Sequence, residues 1–68
     1  MCLLKVYVDE GKSGRRLVAE GIALVTKEDD KIKLKNLEFE EISLENVEIA
    51  LIDTINSTLL LKRRMAEN

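Results

Sequence analysis

Lys31-Ile32-Lys33-Leu34-Lys35 puts a cation at every odd position and an aliphatic residue at every even one. Successive side chains of a β-strand point to opposite faces. The stretch therefore reads as a strand whose lysines face water while Ile32 and Leu34 face a core. A helix would bring Lys31 and Leu34 onto one face and lose that separation.

Toward the N-terminus, the strand is preceded by the polar turn Glu28-Asp29-Asp30 and by the run Ile22-Ala23-Leu24-Val25-Thr26-Lys27, of strand length and opened by Gly21. Arg16 to Glu20 fits either one helical turn or a short strand, because Leu17, Val18 and Ala19 are adjacent and show no period. Asp9 to Gly14 carries two glycines able to take positive φ and reads as a hairpin or a longer loop. Before it, Leu4, Val6 and Val8 share one face of a first strand and Leu3, Lys5 and Tyr7 the other. Toward the C-terminus, Leu37 and Phe39 are in odd phase but Ile42 and Leu44 in even phase. A β-bulge or tight bend near Glu40-Glu41 would restore the inward register. Val47, Ile49 and Leu51 mark a strand running to Ile52, Asp53 to Ser57 a turn, and Thr58 to Lys62 a last strand. The expected organisation is one β domain over residues 1–62 and a solvated tail over 63–68.

The chain of 68 residues has room for one domain, and one of that size buries only roughly 60% of its unfolded surface. Added stability must come from a staple or a partner. Cys2 is the single cysteine and histidine is absent, which removes an internal disulfide and a Cys/His zinc module. Self-association is then the expected source, as a homodimer. Apolar residues make up 46% and charged residues 35%, a globular composition. No apolar run nears the ~20 residues that cross a bilayer, and Lys5 and Asp9 interrupt any signal-peptide core, so a cytoplasmic location is expected. Eleven bases against thirteen acids, with Tyr7 and Phe39 the only aromatics, argue against a nucleic-acid partner. The acids Glu38, Glu40, Glu41, Glu45, Glu48 and Asp53 follow one another with no base between them, and they read as a solvent face.

Catalytic constellations fail by absence. Without histidine there is no Ser/His or Cys/His pair, and Gly11, Gly14 and Gly21 match no phosphate-binding fingerprint, so the chain is not read as an enzyme. Cys2 is the residue placed for other chemistry. If Met1 is removed, the Cys2 amine and sulfur form a five-membered chelate ring around a metal ion; if Met1 stays, its backbone amine, the Cys2 amide nitrogen and the Cys2 sulfur converge. Mixed nitrogen and thiolate donors in a plane suit Ni(II) or Cu(II) rather than Mg(II) or Ca(II). The plainer reading is that Cys2, in phase with Leu4, Val6 and Val8, is a small hydrophobe beginning a strand.

Met1-Cys2-Leu3-Leu4-Lys5-Val6-Tyr7-Val8 resembles the opening of the CooT family of small nickel-binding proteins, which begin with Met-Cys and run into a Lys-Val-Tyr-like strand. Asp30-Lys31-Ile32, the acidic stretch Leu37-Glu38-Phe39-Glu40-Glu41 and the Ile52-Asp53 turn before a terminal aliphatic strand extend the likeness through Lys62. The resemblance implies a compact β fold that dimerises, Ni(II) held through the cysteine at the second position (here Cys2), and supply of nickel to an enzyme such as carbon monoxide dehydrogenase. The family has also carried a predicted RNA-binding label. The expectation is thus an all-β fold, a small, strongly curved antiparallel sheet of five to six short strands closed into a barrel-like (SH3-like) form, serving as a nickel chaperone. The alternative is an RNA-binding or protein-interaction module using Lys31, Lys33 and Lys35.

Overall fold

The computed structural model describes residues 3–64. Its strands are β1 (Leu4–Asp9), β2 (Arg15–Glu28), β3 (Lys31–Asn36), β4 (Glu41–Glu45), β5 (Val47–Asp53) and β6 (Thr58–Arg63). They form one six-stranded sheet in the order β4-β3-β2-β1-β6-β5. The all-β architecture is as expected. Two features of the expected sheet are corrected. β1 and β6 run parallel, with Val6 beside Leu59 and Val8 beside Leu61, so the sheet is mixed. Nor is it closed: the order ends at β4 and β5, and no ladder joins those edges among the described residues.

The alternating stretch behaves as its period requires. Ile32 and Leu34 are completely buried, while Lys31 is exposed and Lys33 and Lys35 are half-buried. Val6, Val8, Ile22, Val47, Leu59 and Leu61 join them in one core, with Leu4, Val18, Ala19, Val25 and Leu44 packed around it. This core draws on both halves of the strand order, so the sheet bends about it even though its hydrogen bonding stays open.

The bend is made chiefly in β2. Arg16 to Glu20, ambiguous by period, is strand and continues past Gly21 into Ile22, giving one element of 14 residues. Its first half pairs with β1 and its second with β3. Leu4 pairs with Ile22 but Val6 with Ala19, so one extra residue bulges at Glu20-Gly21, and Gly21 takes φ +66 there. Further register shifts flank it, at Val18 and at Ala23. The crowding of Leu17, Val18 and Ala19 that hides a period is thus the imprint of bulges, each of which reverses the phase by one residue.

Asn36 makes the phase change before β4. Its side-chain oxygen accepts from the Glu38 and Glu40 amides, and its carbonyl from the Phe39 amide at 3.1 Å, with Phe39 at φ +66. The phase change expected near Glu40-Glu41 falls earlier, in a hairpin turn over residues 37–40, and the even-phase Ile42 and Leu44 then face the same way as Ile32 and Leu34. At the far end, Asn46 alone joins β4 to β5, at φ +60, its amide donating to the Asp30 carbonyl at 3.1 Å. One intervening residue spans at most about 7 Å, so the two sheet edges meet at this corner. β6 extends to Arg63, and the Arg64 amide donates to Asn46 O at 2.8 Å, so the first residues of the expected tail are tied to the domain.

Candidate functional site

Met1 and Cys2, the expected metal donors, lie outside the described residues. The structure describes the strand that follows them. β1 is paired on both sides, antiparallel to β2 and parallel to β6, and the Lys5 amide donates to the Ser57 carbonyl at 3.0 Å. Both flanking ladders and a buried Val6 hold the backbone at the head of this strand. Among the described residues no group of three or more Cys, Asp or Glu side chains is arranged to hold a metal ion.

The lysine stripe of β3 has a different character from an anion-binding face. Lys33 Nζ lies 3.1 Å from Glu28, and Lys35 Nζ lies 3.8 Å from Glu41. Lys31 stands opposite Glu45 in the β3–β4 register. The Glu28 carboxylate, accepting from the ammonium, raises the Lys33 pKa above its ordinary value. A phosphate approaching this face would meet the carboxylates that already balance it.

A second charged cluster went unnoticed in the sequence. Glu10 accepts from both Arg16, at 3.0 Å, and Arg63, at 3.2 Å, which ties β2 and β6 across the end of β1. Hydrogen bonds from Arg63 and then Arg16 hold its carboxyl below the usual range. Arg63 is remote from Glu10 in the chain, so only the parallel β1–β6 ladder brings them together. Arg64 pairs with Asp30 at the β4–β5 corner. In the turn before β6, Asp53 accepts from the Asn56 side chain and from the amides of Asn56 and Ile55, which lowers its pKa.

Surface concavities are shallow and of mixed character. One of about 310 Å³ at the Asn46 corner is lined by Glu28, Asp29, Asp30 and Glu45 but also by Lys31. Another, of about 280 Å³, lies on the outer face between Tyr7, Leu51, Leu60 and Arg15. Neither gathers the nucleophile, base and oxyanion donors that a catalytic pocket needs. The acidic segment from Glu38 to Asp53 occupies both outer strands and the loops beside them, with its Glu side chains exposed.

In comparisons with known proteins, no protein-family model matches the chain and no curated protein matches it. No helix among the described residues is long and apolar enough to cross a membrane.

Proposed function

We propose that this chain is a nickel-binding protein that carries Ni(II) to a nickel enzyme, such as carbon monoxide dehydrogenase, with the Cys2 sulfur and N-terminal backbone nitrogen, including the Met1 amine where it is retained, as donors. The observation that carries the reading is the Met1-Cys2 pair, separated in sequence by Leu3 alone from the strand β1. A thiolate beside main-chain nitrogen selects a metal that favours square-planar, mixed nitrogen and sulfur coordination. Few protein donors at a terminus favour release to a recipient by ligand exchange. A homodimer supplies a second sulfur and completes the coordination sphere, and such a two-fold arrangement also adds buried surface to a small core. The chain acts as a cytoplasmic carrier in this reading and performs no catalysis itself.

Nickel titration of the purified chain by calorimetry and absorbance, with sedimentation to follow the dimer, tests the proposal. Wild-type protein binds Ni(II) with a thiolate-to-metal charge-transfer band; Cys2→Ser loses the band and most of the affinity. Binding weakens as pH falls, because protons compete for a sulfur whose ordinary pKa is about 8.5. Equal affinity in wild type and Cys2→Ser removes the thiolate from the account.

A further inference from the structure

Strand β4 pairs with β3 on one side only, and no described strand covers its other edge. Antiparallel ladders alternate hydrogen-bonded and non-bonded pairs. Here the Asn46 amide donates to Asp30 O and the Asn36 amide to Glu40 O, one bond at each end of the ladder. The bonded pairs are therefore the even-numbered ones, Ile32 with Leu44 and Leu34 with Ile42. The backbone N–H and C=O groups of Glu41, Ser43 and Glu45 consequently point away from β3, toward the free edge.

Natural sheets protect such edges with proline, bulges or charge. β5, the other outer strand, has a register shift at Ala50. β4 pairs with β3 at every step from Glu41 to Glu45 without a shift and contains no proline. Its protection is the exposed carboxylates of Glu41 and Glu45. Those same charges disfavour a second copy: an antiparallel β4–β4 pair centred on Ser43 would set Glu41 of each copy against Glu45 of the other. Between them, Ile42 is 43% exposed and Leu44 half-buried on the core-facing side.

The chain contains one segment that already satisfies this strand. Along the occupied side, Lys35, Lys33 and Lys31 stand opposite Glu41, Ser43 and Glu45, while Leu34 and Ile32 stand opposite Ile42 and Leu44. The free side offers the same side chains in the same alternation. We infer that the open edge of β4 binds an extended partner segment of the pattern Lys/Arg–aliphatic–any–aliphatic–Lys/Arg, added antiparallel as a further strand. Backbone hydrogen bonds from Glu41, Ser43 and Glu45 supply the pairing, the Glu45 carboxylate and the Glu41 carboxylate, shared with Lys35, select the flanking cations, and the aliphatic residues of the segment cover Ile42 and Leu44. The pairing itself uses neither Cys2 nor a metal ion.

The test uses the full chain and the blocked peptide acetyl-Lys-Ile-Lys-Leu-Lys-amide, followed by NMR amide shifts and hydrogen exchange. The expected result is saturable shifts at Glu41, Ser43 and Glu45, slower exchange of those amides, and weakening by added salt. N-methylation of the central lysine of the peptide, whose N–H would meet Ser43, abolishes binding; N-methylation of the leucine, whose N–H points away, leaves it. In protein carrying Glu41→Gln and Glu45→Gln, both exposed positions, binding weakens by about two- to thirty-fold, the worth of two cross-strand charge pairs. The inference is overturned if acetyl-Glu-Ile-Glu-Leu-Glu-amide shifts the same amides equally, if the shifts fall elsewhere, or if the β4 amides shift on dilution of the protein alone, which would make a second copy the occupant.

Discussion

Leu61 in β6 and Ile42 in β4 are both aliphatic and both on the core-facing side of a ladder. Leu61 is 0% exposed and Ile42 43% exposed. β6 lies between β1 and β5, whereas β4 has β3 alone. A side chain on an outer strand lacks the lateral neighbour that would finish its burial, so the same residue type contributes to the core in one place and presents an adhesive margin in the other.

Truncation measures that contrast most directly. Leu61→Ala is expected to cost about 2–5 kcal/mol, the usual range for a buried aliphatic residue that leaves a cavity. Ile42→Ala is expected to cost about 1 kcal/mol or less, as for partly solvated positions. Urea midpoints at unchanged m-value read both, and equal losses would show that the outer strand is as well covered as the inner one.

Gly21 links the two regions, because β2 bends there from its ladder with β1 to its ladder with β3. A Cβ added at this position meets nothing within 4 Å, so the cost of Gly21→Ala is confined to the backbone at φ +66. The expected loss is about 1–2 kcal/mol, measured by the same denaturation, with Gly21→Asn recovering part of it. A neutral Gly21→Ala would show that β2 bends without left-handed geometry.

The smallest effect is electrostatic. Glu10 clamps the central strands through Arg63 and Arg16, while Glu41 on the outer strand meets Lys35 at a looser 3.8 Å. The folded pKa of Glu10 is depressed from 4.5, so its contribution is present above that value and is lost as pH falls through the lower folded one. Thermal melts across pH 7 to 3 are expected to show Glu10→Gln less stable than wild type at neutral pH and converging with it in acid. At neutral pH Glu41→Gln is expected to lose less stability than Glu10→Gln, because its pair is the longer one, and an equal deficit there would remove the distinction between the two pairs.

Most of the strand list was legible because a period of two is local. Lys31 to Lys35 and Val47 to Leu51 each need only their own residues to be read as strand, and Thr58 to Leu61 is legible instead as a short aliphatic run after the Asp53 to Ser57 turn. β2 was harder, since its bulges reverse the phase and make Leu17, Val18 and Ala19 look aperiodic. The parallel β1–β6 pairing and the open sheet could not be read at all: partners far apart in sequence leave no mark in either segment. Among candidate sites, Cys2 stood out by residue identity and by its place after Met1, whereas the Glu10 clamp needed Arg63 brought back from the other end of the domain.

By itself the amino-acid order determined the β character of the chain, the core-facing Ile32, Leu34, Val6 and Val8, and the presence of a single thiol at Cys2, because alternation and side-chain chemistry are properties of a few adjacent residues. Tertiary structure alone decided that Lys33 and Lys35 of β3 are balanced by Glu28 and Glu41, and that the acidic stretch forms the two open margins of the sheet. Whether a strand is central or outermost depends on which other strands lie beside it, and no segment carries that information within its own residues.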